Sequence, residues 1–158
     1  LDIDAHLSAE DHTRGHLVRR MCEEHTYWAI VYSRWIDERG WAHQRRFLKT
    51  MLPTPLNMLL PRVLRRGVRK SLHAQGLGRH DEETLYTFCL QDIEAAASAL
   101  GDSAYLLGER WSSYDASFFA TLWHLHQTPT DNPATLATKA QPNLVAYIQR
   151  MKERLGFE

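Results

Sequence analysis

The chain has 158 residues, 44% of them hydrophobic, which fits one globular domain burying roughly 70% of its unfolded surface. Its 19 basic and 19 acidic residues cancel, so overall charge gives no reason to expect a nucleic-acid binder, although the balance is uneven along the chain. No apolar run approaches the ~20 residues of a membrane helix and the start lacks the basic-then-apolar order of a signal peptide, so a soluble, cytoplasmic protein is expected.

Ser8-Ala9-Glu10-Asp11 is a Ser-x-x-Asp capping pattern. It opens a long helix with Leu17, Met21, Trp28, Val31, Tyr32 and Trp35 on one stripe, ending near Gly40. Pro53, Pro55 and Pro61 then break the pattern into short pieces. Helix resumes through Leu64 and Val68 towards Leu72 and stops at Gly76 and Gly78. Asp81-Glu82-Glu83 begins the next helix, its acidic first turn complementing the helix dipole. Leu85, Phe88, Cys89, Ile93, Ala96 and Leu100 form its core stripe before Gly101. Cys22 and Cys89 each fall within a helix, far from any Cys-x-x-Cys spacing, and read as reduced, buried thiols.

The segment from Leu106 to Ala120 is the most informative. With Ser112 as N-cap, Asp115 stands at the third helical position. Its carboxylate can reach back to the Ser112 amide while the serine hydroxyl accepts from the Asp115 amide. Ala116, Phe118, Phe119, Ala120, Leu122, Trp123 and Leu125 follow, apolar all round, so this helix is expected to be covered on every side. After a break from Thr128-Pro129 to Asn132-Pro133, a short helix leads to Pro142. That proline suits the first turn of a last helix carrying Leu144, Ile148, Met151 and Leu155. No strand pattern competes, and the fold class is all-α.

Gly101-Asp102, Tyr105-Leu106-Leu107-Gly108, the Ser112/Asp115 box and the Gln141-Pro142-Asn143-Leu144 helix start together resemble the C-terminal helical domain of glutathione transferases. A finer resemblance, to the group allied to failed-axon-connections and metaxin proteins, rests on Glu23-Glu24-His25-Thr26-Tyr27-Trp28 and Ala74-Gln75-Gly76-Leu77-Gly78-Arg79-His80. The resemblance implies a right-handed helical bundle over 1–158, the C-terminal part of a longer protein. In that family an N-terminal thioredoxin-like domain precedes it, and its βαβ units, cis-proline and activating Ser, Cys or Tyr are not found here. Leu1 to Leu7 looks like the linker between the two. Glutathione is implied as co-substrate, bound mainly by the absent domain, with a small apolar electrophile held on this side. Relatives commonly dimerise through the first two helices of this domain, and a monomer stays open beside a homodimer. No catalytic nucleophile is assigned.

In the family the first helix of this domain lines the acceptor-substrate pocket, which makes Glu24, His25, Trp28 and Tyr32 the pocket candidates. Glu24 falls seven residues from Leu17 and four from Trp28, within the apolar stripe, where a carboxylate needs a partner. The plainer reading sets it at the stripe's edge, paired with Arg20 one turn earlier. Arg62, Arg65, Arg66, Arg69 and Lys70 recur on one helix face opposite Val63, Leu64, Val68 and Leu72. Such a stripe is able to meet anionic lipid or phosphate, but a solvated face is the reading adopted, with no membrane contact expected. His12 and His16 lack a third ligand for a metal site. His124 and His126 point to different sides of their helix. The leading functional reading is the acceptor-side domain of a glutathione transferase. A non-catalytic adaptor of the same fold and a stand-alone helical module with a membrane-facing stripe are its competitors.

Overall fold

The computed structural model describes residues 2–156, so Leu1, the first residue of the expected linker, and the last two residues lie outside the described residues. Eight α-helices follow one another: α1 (Ala9–Arg20), α2 (Tyr27–Trp35), α3 (Glu38–Met51), α4 (Leu56–Gln75), α5 (Glu82–Leu100), α6 (Tyr114–His126), α7 (Pro133–Lys139) and α8 (Pro142–Leu155). A π-helical segment, Met21–Thr26, joins α1 and α2 into one continuous rod. Among the described residues there is no strand, and Tyr105 and Gly108 form an isolated bridge. The bundle is all-α. α1 and α2 lie along α6, α5 and α6 both contact α7 and α8, and α3 and α4 fold back as a hairpin against α2. The core runs through Cys22, Ile30, Leu85, Ile93, Phe118 and Tyr147, all buried.

Local hydrogen bonds set the helix starts. The Asp11 amide donates to Ser8 Oγ (3.1 Å) and the Ser8 amide to Asp11 Oδ2 (3.0 Å), so the first capping box is complete. Asp81 caps α5 by accepting from the Thr84 amide (2.8 Å). Asn132 caps α7 by accepting from the Thr135 amide (3.0 Å). The Asn143 amide group, just inside α8, donates to the Ala97 (2.9 Å) and Gly101 (3.1 Å) carbonyls. It thereby satisfies acceptors left open at the end of α5.

The long first helix does not run to Gly40. It stops at Trp35, and Asp37 begins α3, accepting from the Arg39 amide at 2.8 Å. Asp37 is almost fully buried and also accepts from the Tyr86 hydroxyl (2.6 Å) and the Arg39 guanidinium (2.6 Å). Burial alone would raise its carboxyl, but these donors outweigh that and hold it below the usual carboxylate range. Gly40 thus lies inside α3, at the tight crossing of α2 and α3, rather than ending a helix. The region from Trp41 to Pro61 is likewise more helical than its prolines suggest. α3 runs to Met51, and Pro61 sits within α4 near its start.

Two further expectations change. α6 is not covered on every side: Phe118, Phe119, Leu122 and Leu125 face the core, whereas Ala116, Ala120 and His124 form an exposed face at i, i+4, i+8 spacing. In α4, Leu72 is buried, but Val63 and Leu64 are exposed rather than part of a core face. The inward side of that helix is taken by Arg65. Its Nε donates to the Trp35 carbonyl (2.9 Å), and its Nη2 donates to the Ile36 carbonyl (2.7 Å) and Glu38 Oε1 (2.6 Å). Its guanidinium also lies 4.7 Å over the Trp41 ring. Arg65 therefore closes the C-terminus of α2 and leaves the basic stripe.

Candidate functional site

The Ser112/Asp115 pair forms in a different pattern from the expected one. The Ser112 amide donates to Asp115 Oδ2 (2.8 Å), but the serine hydroxyl donates to the same oxygen (3.0 Å) rather than accepting from the Asp115 amide. That amide reaches the Ser112 carbonyl at 3.2 Å. The other carboxylate oxygen accepts from the Leu106 amide (3.0 Å) and the Tyr147 hydroxyl (2.9 Å). Asp115 is fully buried, so one carboxylate pins the 101–113 loop, α6 and α8 to each other. Burial, then the neighbouring carboxylate, raises the Tyr147 phenol far above its ordinary value and keeps it a donor.

The exposed face of α6 meets the π segment and α2 across a cleft of about 520 Å³. One wall carries Cys22, Glu23, Tyr27, Ile30, Val31, Arg34 and Trp35; Ser117, Ala120, Thr121 and His124 make the other. A second hollow of about 330 Å³ lies on the far side of the same face, between Trp111, Phe119, Trp123 and Leu155, and shares Ala120 and His124. At the polar end of the cleft Glu23 is ion-paired to Arg20 and accepts from Ser117 Oγ at 2.6 Å. At the other end Arg34 Nη2 lies 3.0 Å from His124 Nδ1. Burial, and secondarily the Arg34 charge, hold His124 below the usual histidine range, so it is neutral at pH 7 and can accept from Arg34. Arg34 is the only Arg or Lys lining the cleft, and among the described residues it has no carboxylate partner.

The four pocket residues expected from the sequence lie elsewhere on the same rod. Glu24 is exposed, with its carboxylate 3.2 Å from Arg20 and its carbonyl accepting from Gln75. His25 Nδ1 is 2.7 Å from Asp92 Oδ2, an oxygen that also accepts from Thr26 Oγ1 at 2.7 Å. Trp28 is partly buried against the core, and the Tyr27 ring meets it edge-on. The Tyr32 hydroxyl donates to Glu82 Oε2 at 3.3 Å, and burial, then Glu82, push it up to about 12. None of the four lines the cleft, where Glu23 and Tyr27 stand instead of Glu24 and Trp28.

The cause of this offset is the π segment. The Tyr27 amide donates to the Cys22 carbonyl five residues back. A π turn takes one more residue than an α turn, so a phase carried forward at 3.6 residues per turn slips by about one position. The two thiols are buried and free, as the sequence suggests. Burial pushes both up to about 12, with a hydrogen bond to Thr121 only partly opposing this at Cys22. Cys22 thus reaches the cleft wall as a thiol, not a thiolate. Ellman's reagent at pH 8 should react with either cysteine roughly three orders of magnitude more slowly than with a free thiol, accelerating only on unfolding. A fast single-equivalent reaction would show Cys22 to be open to solvent.

Among the described residues no group of three His, Cys, Asp or Glu is placed to hold a metal ion, and no helix is long and apolar enough to cross a membrane. His12 is engaged separately, its Nδ1 lying 3.2 Å from the Tyr114 hydroxyl.

An all-α bundle with a Tyr-Leu-Leu-Gly loop, a buried aspartate opening its central helix and a Pro-Asn-Leu final helix defines a class, and comparison with known proteins agrees. Residues 89–151 match the glutathione S-transferase C-terminal domain, and residues 1–40 match the glutathione S-transferase N-terminal domain. The chain belongs to the glutathione S-transferase family. It is 31% identical over 154 residues to the isoprene-epoxide–glutathione S-transferase of Rhodococcus sp. (strain AD45), covering 96% of this chain and 65% of that protein. It is also 26% identical over 165 residues to Failed axon connections of Drosophila melanogaster, covering 96% of this chain and 39% of that protein. The chain thus spans less than two thirds of each relative's length. No solved structure matches. The N-terminal match refines the sequence reading, which placed all of 1–158 in the second domain. In the structure the described part of that segment is helical, and it is packed into the same bundle as the rest.

Proposed function

We propose that this chain is part of a glutathione transferase-like enzyme and that the cleft between α2 and α6 holds the electrophile. The observation that carries this reading is the lining. Tyr27, Ile30, Val31, Trp35 and Ala120 offer an apolar trough, with Arg34 as its one permanent charge that lacks a carboxylate partner. Similarity to a protein named for isoprene epoxide supports a small, apolar epoxide-like electrophile. In this reading glutathione is held mainly by a thioredoxin-like domain, and Glu24, His25, Trp28 and Tyr32 hold the rod that presents Tyr27 and Ile30. Burial and shape orient the electrophile; thiolate activation is not the work of this chain. Two unpaired thiols suit a reducing compartment, and the reading takes the cytoplasm as the location. Homodimerisation is carried over from the family as an expectation for light scattering.

The test uses the protein with its natural upstream sequence. Tyr27→Ala and Ile30→Ala should each raise KM for a small epoxide by about 3- to 10-fold while leaving KM for glutathione unchanged. Unchanged epoxide kinetics in both variants would remove the cleft from the reaction. Calorimetric titration should show glutathione binding to the extended protein and not to this chain alone. Binding to neither would favour a non-catalytic binding domain of the same fold, a reading supported by similarity to Failed axon connections, whose name describes no transferase activity.

A further inference from the structure

The neutral total conceals a sharp segregation of charge. Between Arg39 and His80 there are ten of the nineteen Lys and Arg residues and none of the nineteen Asp and Glu. That stretch is the α3–α4 hairpin and the short 3-10 turn, Leu77–Arg79, after it. Arg39 is paired to Asp37 and Glu82, and Arg65 to Glu38. Arg45, Arg46, Lys49, Arg62, Arg66, Arg69 and Lys70 are exposed and in no ion pair among the described residues.

The same hairpin carries the densest group of exposed apolar side chains. Phe47 (52% exposed), Met51 (65%), Leu56 (50%), Met58 (65%), Leu59 (64%) and Val63 (64%) surround the α3–α4 turn. The pattern along α4 is graded. On its outward face Leu59 and Val63 come first and Arg66 and Lys70 follow at the same helical angle, so an apolar tip passes into a basic collar. A patch this apolar is costly in water. Its collar selects a partner that is anionic where the cations lie and apolar where the tip reaches.

We propose that the α3–α4 hairpin docks on an anionic lipid surface, its tip entering the boundary between headgroups and acyl chains and the seven free cations meeting the headgroups. No described helix can span a bilayer, so the contact is interfacial. This replaces the sequence expectation of a merely solvated stripe. The change arises because Val63 and Leu64 are exposed beside the cations, while Arg65, assigned to the stripe, is turned inward.

Co-sedimentation of the full chain with vesicles tests the idea. Binding is expected to vesicles of roughly three parts phosphatidylcholine to one part phosphatidylglycerol, at least about tenfold stronger than to phosphatidylcholine alone, and weakened by salt at about 0.5 M. M58D/L59D should lose about tenfold or more of that binding, and R66Q/K70Q should lose the preference for anionic lipid. Leu17→Asp, on the equally exposed Leu17 of α1, should change nothing. All substituted side chains are exposed, and far-UV circular dichroism checks that each variant folds. Three results would overturn the proposal: no sedimentation with anionic vesicles at low salt, undiminished binding by M58D/L59D, or a wild-type dimer that M58D/L59D dissociates in the absence of vesicle binding. The last would make the tip an interface between copies.

Discussion

Asp115→Ala is expected to lower stability by about 3 to 5 kcal/mol and the melting temperature by roughly 10 °C, as read by urea and thermal unfolding. The carboxylate is fully buried and receives the Leu106 and Ser112 amides and the Ser112 and Tyr147 hydroxyls. Alanine leaves those donors without an acceptor and without water, and each unsatisfied buried group costs about 1 to 3 kcal/mol. The donors come from the 105–108 loop, the entry to α6 and from α8, so the loss should be cooperative rather than local. Asp115→Asn should fall between, because its amide keeps one acceptor oxygen and turns a donor towards donors. Tyr147→Phe and Ser112→Ala each remove one donor and should cost about 1 kcal/mol. An Asp115→Ala protein within 1 kcal/mol of wild type would show that the four donors find other partners.

Gly40→Ala is expected to be nearly as damaging for a steric reason. A Cβ at Gly40 would stand 1.8 Å from the Ser33 carbonyl oxygen and 2.8 Å from its carbon, both backbone atoms of α2. Neither can be moved by a rotamer change, so α2 and α3 must separate. That would strain the Asp37 cap, which joins the Arg39 amide and guanidinium to the Tyr86 hydroxyl. A cost of about 3 kcal/mol or more follows, at the upper end for overpacking. Gly15→Ala provides the contrast. There the added Cβ meets the Tyr114 ring at 2.7 Å, a side chain near the surface that can shift. Its cost should be smaller, and chemical denaturation of the two variants side by side would decide. Equal stability of Gly40→Ala and wild type would mean that α2 and α3 do not cross this closely.

Tyr27 and Glu23 were invisible as cleft residues for a specific reason. The helix entering at Ser8 shows apolar residues at spacings that fit an unbroken α-helix, and nothing in Met21–Thr26 announces a π turn. Extrapolation from Leu17 and Met21 therefore selected Glu24 and Trp28. Both lie one residue beyond the side chains that line the wall opposite α6. Leu17, the anchor of that extrapolated stripe, is 64% exposed, while Val18 and Cys22 are the buried members. Arg65 was misplaced similarly. Its helical angle matches the basic stripe closely enough, but its hydrogen bonds go to the end of a helix about thirty positions earlier.

What the chain's order of residues determined alone is what depends on near neighbours or on uninterrupted period. The caps at Ser8 and Asp81 close within three residues, and α5 buries Leu85, Cys89, Ile93, Ala96 and Leu100 as its periodicity requires. The buried thiols, the Tyr-Leu-Leu-Gly loop and the Pro-Asn-Leu start of α8 belong with them, and together they suffice for the fold family. The tertiary structure decided which face of α6 stays open, which side of the first rod lines the cleft, and which cations of α4 remain free. Each depends on a partner far along the chain or on a one-residue change of helical phase. Neither leaves a trace in local hydrogen-bonding preferences, because the energies that select them arise only when separate helices meet.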